Sequence, residues 1–274
     1  IAWRGRSGKL DYGITAVGTW IRDRIDYMSE LPPAAPAAAY TTKAIGSMRG
    51  YMYEGLYGIE DFNPDGTLIA TLPQPSMGSV QPGDMRYKDL NGDNIVDERD
   101  MTIIGKGGLP VFYGSIIVQA GYEGFDFRAV IQGEAGRDVN LLSGAYNKVV
   151  AFKDNSNVYP IARRRWAYYP ERGIDTRETA TYPRLSLQDN KNNYANSDFW
   201  VKEADFIKIR NIEFGWSLPS AVASRMKLSS ARIFISGINL FSFSKLLREY
   251  DIDPETMSGY PGVKSYNFGL TLTF

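Results

Sequence analysis

The last ten residues restrict what this chain can fold into more than any other segment. In Ser265-Tyr-Asn-Phe-Gly-Leu-Thr-Leu-Thr-Phe274, the side chains of Tyr266, Phe268, Leu270, Leu272 and Phe274 share one parity. Ser265, Asn267, Gly269, Thr271 and Thr273 share the other. Successive side chains of a strand point to opposite faces, so strict alternation means a strand with one greasy side and one polar side. A helix would scatter these residues around its circumference.

The pattern recurs. Across 112–122, Phe112, Gly114, Ile116, Val118, Ala120 and Tyr122 form an outer set, and Tyr113, Ser115, Ile117, Gln119 and Gly121 an inner one. After a tight turn at Glu123-Gly124 come Phe125, Phe127, Ala129, Ile131 and Gly133, opposed by Asp126, Arg128, Val130, Gln132 and Glu134. A hairpin with charges on one face and aromatic residues near its ends suits a barrel wall with a wet interior. Alternation by itself also suits a soluble sandwich. In 211–218, Ile212, Phe214, Trp216 and Leu218 share one parity, whereas Ile207 and Ile209 upstream sit on the other. That switch predicts a bulge, or a strand continuing above a bilayer. The register of 231–243 stays open, and 12–27 is long enough to cross a membrane and continue beyond it.

Connection lengths alternate too. Segments 6–10, 123–124 and 219–230 are short or moderate, while 28–109, 137–204 and 245–263 are long. Outer-membrane barrels have short periplasmic turns and long outside loops. With Phe274 at the periplasmic rim, every long segment falls outside. Seven strands result, at 1–5, 11–27, 110–122, 125–136, 205–218, 231–244 and 265–274. The expected fold class is therefore all-β, a transmembrane antiparallel β-barrel with long extracellular loops. Bacterial single-chain barrels have an even number of strands, at least eight, and open edges in lipid leave backbone groups unpaired. Further strands must complete the wall. The opening residues, Ile1 to Gly5, carry no initiator Met and read as the middle of a strand, as in a piece of a longer protein.

Composition narrows the chemistry. The chain has no Cys and no His, which leaves no thiol nucleophile, imidazole base, disulfide or thiolate metal site. Its 31 basic and 31 acidic residues balance, so nothing favours nucleic acid. No apolar run is long enough for a transmembrane helix.

One motif has the spacing of a cation loop, Asp89-Leu-Asn-Gly-Asp-Asn-Ile-Val-Asp-Glu-Arg-Asp100. Calcium (Ca2+) in a structural role would take oxygens from Asp89, Asn91 and Asp93, the Ile95 carbonyl, Asp97 and Asp100, at positions 1, 3, 5, 7, 9 and 12. The sixth place is Asn94 where the EF-hand loop has Gly, and Asn tolerates the left-handed backbone needed there. The alternative is a solvated turn whose Asp and Asn side chains cap the backbone. Arg163-Arg164-Arg165 with Trp166, Tyr168 and Tyr169 is a solvated basic face or a polyanion or sugar surface. Tyr182, Tyr194 and Trp200 are either core or a cavity lining, and Pro32-Pro33-Ala-Ala-Pro36 is linker-like.

The segment Pro82-Gly-Asp-Met-Arg-Tyr-Lys-Asp-Leu-Asn-Gly-Asp-Asn-Ile-Val-Asp-Glu-Arg-Asp-Met-Thr-Ile-Ile-Gly105 closely resembles part of the SusC/RagA family of TonB-linked (TonB-dependent) outer-membrane transporters of Bacteroidetes. So do Phe112-Tyr-Gly-Ser115, Tyr122-Glu-Gly-Phe-Asp126 and Gln132-Gly-Glu-Ala-Gly136. The stretches 199–212, Gly237-Ile-Asn-Leu-Phe241, Asp253-Pro-Glu255 and the closing strand are similar as well. The matches run in family order from about residue 45 to the end. The resemblance implies the C-terminal barrel portion of a large plugged barrel, in the roughly 22-stranded class. It also implies a location in the outer membrane of a Gram-negative cell and a SusD-like lipoprotein partner. TonB would act through an N-terminal region, with the plug, that lies outside this chain.

The function expected on this basis is import of a glycan or oligopeptide, with no covalent chemistry, alongside the remaining barrel and plug segments and membrane lipid. The alternative is a secreted soluble β-rich carbohydrate-binding module with a calcium loop. An enzyme using Asp251 and Asp253 as paired carboxylates is the least supported reading. No substrate-binding residue can be named from the sequence.

Overall fold

The computed structural model describes residues 1–152, 157–187 and 189–274. The chain divides into two compact units, one of 1–21, 110–136 and 204–274, the other of 22–109 and 137–203. Among the described residues no helix is long and apolar enough to cross a membrane.

The first unit is a seven-stranded antiparallel sheet. Its strands are β1 (Ala2–Ser7), β2 (Leu10–Trp20), β3 (Phe112–Tyr122), β4 (Phe125–Ala135), β5 (Phe206–Ser217), β6 (Ser230–Ser244) and β7 (Ser265–Thr273). Each strand pairs with its neighbours in sequence, and the sheet is open, with β1 and β7 at its edges. The β2–β3, β4–β5 and β6–β7 connections therefore leave from one end, and the tighter turns from the other. The sequence reading of 11–27 as one strand was too long. Strand β2 ends at Trp20, and 21–27 continue as irregular chain. The first turn is also tighter than expected, with β1 running to Ser7 and Gly8 at φ 60° in the reversal.

Cross-strand register carries the alternation through the whole sheet. Ile14 pairs with Val118, Val118 with Ala129, Ala129 with Ile212, Ile212 with Gly237 and Gly237 with Tyr266. All lie on one face. Large apolar side chains on that face stay uncovered by protein, with Phe243 60 % and Phe268 78 % exposed. The opposite face mixes Val17, Ile117, Val130 and Phe234 with Asp126, Arg128, Gln132, Glu213 and Arg232.

The parity switch in β5 is a bulge. Val130 and Ile131 are adjacent in β4, yet they pair with Asn211 and Ile209 in β5, leaving Arg210 as the extra residue. The β5–β6 pairing shifts at the same level, between Ile209 and Asn211. Asn239 of β6 takes a left-handed backbone there, φ 55°. One extra residue puts Ile207 and Ile209 back on the apolar face with Ile212, Phe214 and Trp216.

Two of the connections expected to be loops, 28–109 and 137–204, instead supply most of a folded unit with its own core. Trp200, Tyr57, Tyr87, Tyr182, Met85 and Leu141 are fully buried there. A polar seam joins the two segments. The buried Asp84 carboxylate accepts from the Gln81 amide (2.8 Å), the Asn190 and Asn193 side chains (both 2.9 Å) and the Arg184 guanidinium (3.2 Å). The Asn193 side-chain oxygen accepts from the Met85 amide at 2.8 Å, and the Asn192 side chain donates to the Met85 carbonyl at 2.7 Å. The Asp84 carboxylate is thereby matched on both oxygens, as burial requires, while Asn192 Oδ1 is left without a partner.

At Gly83, φ is 88° and a Cβ would lie 2.5 Å from the Trp166 ring. Gly83→Ala should destabilise this unit by about 1–3 kcal/mol, from overpacking and an unfavourable backbone. Hydrogen exchange at 84–87 is the check, and unchanged protection would contradict it.

Candidate functional site

The second unit holds a polar cleft of about 840 Å³, lined by Tyr53, Tyr57, Glu60, Asp61 and Arg86 from one segment and Trp166, Asp175, Arg177 and Glu178 from the other. Short strands Tyr53–Leu56 and Met85–Tyr87 pair to form one wall. The other wall follows the turn Pro170–Arg172, which closes on Gly173 with φ 65°.

Its charges are arranged in pairs. Arg86 lies 3.1 Å from Glu54. Arg177 donates to Asp175 through Nε (2.9 Å) and Nη2 (2.7 Å), and its guanidinium stacks 4.0 Å over the Tyr168 ring. Asp61 accepts from the Gly58 amide at 2.8 Å. Burial pushes the Tyr57 hydroxyl up to about 12, so it stays protonated and can only donate or accept hydrogen bonds at neutral pH. With Tyr53 and Trp166 as apolar surfaces and fixed charges of both signs, the cleft can hold an uncharged or zwitterionic polar molecule.

The sequence-nominated residues fall elsewhere. In the 89–100 loop, Asp89 accepts from the Gly92 and Asn94 amides (2.6 and 2.8 Å) and Asp93 from the Ile95 amide (3.0 Å). Asn91 accepts from the Asp93 amide (2.8 Å). Asp100 accepts from the Leu90 and Asp97 amides (2.7 and 2.9 Å). Asn94 has φ 63°, the left-handed conformation the sixth place demands. Arg99 sits 2.7 Å from both Asp93 and Asp97. Among the described residues no three acidic side chains converge as a cation site, so this geometry lends calcium no support.

Tyr182 and Trp200 pack edge to face at 5.9 Å, and Tyr194 lies 5.9 Å from the same indole. Tyr182 and Trp200 are core, and Tyr194 is half-buried beside them. Arg163 and Arg164 are exposed at the end of a 3-10 turn, Pro160–Arg164. Asp251 and Asp253 do not form a carboxylate pair. Asp251 ends the helix Lys245–Tyr250 at φ 56°. Asp253 is buried and accepts from the Lys208 ammonium at 3.0 and 3.1 Å.

That last contact belongs to a cluster that spacing could not reveal. Lys208 and Arg210 of β5 both reach Glu255, and Arg210 also donates to Gln132 of β4 at 2.8 Å. Burial acts to raise the Asp253 carboxyl, but the Glu255 amide and Lys208 outweigh it and hold it below the usual carboxylate range. Glu255 is likewise lowered, with Arg210 and Lys208 overcoming its own burial. Lower on the same face, Arg232 donates to Asp126 at 3.0 Å and to Glu213 at 2.7 Å. It crosses β5 over Gly215, where any Cβ would strike its guanidinium.

No protein-family model matches the chain. It is 27 % identical over 256 residues to TonB-dependent receptor P3 of Formosa agariphila, an alignment covering 85 % of this chain and 22 % of that protein. TonB-dependent receptor P39 of the same organism is 27 % identical over 207 residues, covering 64 % and 19 %. The chain thus spans about a fifth of the length of these curated relatives. A structure of the RagAB peptide transporter superposes with TM-score 0.67 at 16 % identity, covering all of this chain and 28 % of that one. The RagAB peptide importer in its open-open state gives 0.66 at 15 %. Its sequence relatives are thus TonB-dependent receptors of the SusC-like kind, and its fold is that of part of the RagAB transporter.

Proposed function

We propose that this chain forms part of the wall, and the attached outside connections, of an outer-membrane nutrient importer energised through TonB. The observation that carries the reading is the continuous uncovered apolar face across seven paired strands, opposed by a face rich in charges. Lipid is the solvent that suits the first and a wet lumen the second. Strands from the rest of the transporter complete the wall at β1 and β7, because unpaired backbone groups in hydrocarbon cost several kcal/mol each. A plug fills the lumen, and a SusD-like lipoprotein covers the outside mouth. The cargo is an oligopeptide or a glycan, taken up without covalent change. The name of the RagAB transporter favours the peptide. The cleft beside Trp166 and Arg177 contributes to capture on the outside.

Cells carrying the whole transporter test this. Arg177→Ala with Glu178→Ala should cut uptake of a labelled oligopeptide or oligosaccharide pool at least about tenfold, as expected when a charge-assisted contact is lost. Outer-membrane abundance should stay the same. Full uptake by this variant would remove the cleft from the capture path.

A further inference from the structure

We propose that the rim of the sheet at the β6–β7 connection binds the phosphorylated headgroup of an anionic membrane lipid; this rests on the membrane-spanning reading above. The apolar face ends there in an aromatic group, Phe241, Phe243 and Tyr266, all strongly exposed. Beside Phe243 and Ile207 a cavity of about 620 Å³ opens, walled also by Leu247, Lys245 and Arg248. Helix Lys245–Tyr250 follows β6 directly, so Lys245 and Arg248 sit one turn apart just beyond the last lipid-facing residue. Lys264 precedes β7 directly, and its ammonium stands 6.0 Å above the Phe241 ring.

Three cations thus flank two exposed phenyl rings at one level of the wall. The acids nearby are accounted for. Asp253 and Glu255 are spent on Lys208 and Arg210. Asp205 accepts from the Gly136 amide at 2.8 Å. Glu134 also lines the cavity, where it and Lys245 each hold an interaction of their own, and Glu249 pairs at 3.0 Å with the 72 %-exposed Arg248 side chain, a solvent-screened contact that a phosphate can displace. Lys264 has no acidic partner among the described residues. Apolar floor and basic rim together match an amphiphile, with acyl chain on Ile207 and Phe243 and phosphate on Arg248 and Lys264. Arg in particular presents a fork that fits phosphate oxygens.

The experiment uses the whole transporter in nanodiscs of zwitterionic phospholipid doped with a phosphatidylglycerol or a phosphorylated lipid A, with bound lipid counted by native mass spectrometry. Wild type should retain anionic lipid over zwitterionic lipid. Arg248→Gln with Lys264→Gln should weaken retention roughly fivefold per cation removed, while uptake and insertion remain normal. Inorganic phosphate at millimolar concentration should not displace the lipid; displacement would assign the cations to a free anion and overturn the proposal. Equal retention by wild type and variant would overturn it as well. Failure of the wild type to enter nanodiscs at all would instead sink the membrane-spanning reading beneath it.

Discussion

Phe268→Arg should lower the stability of the membrane-inserted transporter by about 2–4 kcal/mol, whereas Asn267→Arg, one residue away, should change it by less than about 1 kcal/mol. Phe268 lies near the middle of β7 and points its ring away from all protein, 78 % exposed. In lipid, a guanidinium there must be dragged into hydrocarbon or pull water in after it. Asn267 sits on the other face, opposite Ser236, where a long cationic side chain has a wet lumen to occupy. The measurement is urea unfolding of the protein in liposomes, supported by outer-membrane abundance in cells. Equal losses for the two variants would show that both faces meet the same solvent, and the barrel reading would fall.

Lys208→Met should cost about 3–5 kcal/mol, because it strands the buried Asp253 carboxylate without its counter-charge. Lys208 and Asp253 are 4 % and 6 % exposed, so solvent cannot substitute for the lost partner. The double variant Lys208→Met with Asp253→Leu removes both charges and should recover most of the loss. Unfolding midpoints and the protease sensitivity of 245–264 report the outcome, and a single-variant loss below about 1 kcal/mol would show the pair to be no better than a surface contact. Acid should act in the same direction. Both carboxyls are held below their ordinary values, so folding keeps them ionised more readily than the unfolded chain does. Their contribution is complete above the unfolded range, about 3.9–4.3, and disappears as pH falls through that range and past the folded values. Protease sensitivity of 245–264 should be flat from neutral pH to about 5 and rise below about 4.

The sheet was legible because its information is local. Alternation in Tyr266–Phe274 and Phe112–Tyr122 needs no partner to be seen, and the break at Ile207 and Ile209 announced an irregularity that proved to be the Arg210 bulge. What the pattern concealed was the fold of 22–109 and 137–203. Its core is tied by side chains far apart in sequence, such as Tyr87 donating to the Asn192 carbonyl and Trp200 to that of Asn193. Asn190, Asn192 and Asn193 look like solvated turn residues in a one-dimensional reading, yet all are buried. The cleft was missed for the same reason, since Arg86 and Arg177 come from segments ninety residues apart and neither spacing nor composition joins them. The 89–100 loop shows the converse. Its ligand-like spacing was legible, whereas the hydrogen bonds from its own amides to Asp89, Asp93 and Asp100 were not.

Separate cores have an evolutionary corollary. The strands keep their register through contacts between sequence neighbours, while the inserted unit has a polar network of its own around Asp84 and Trp200. Substitutions at distant, unshared positions add nearly independently. A lineage could therefore rebuild the side chains around Trp166 and Arg177 without retuning the register of the sheet, and could change the apolar face of the sheet without disturbing that cleft.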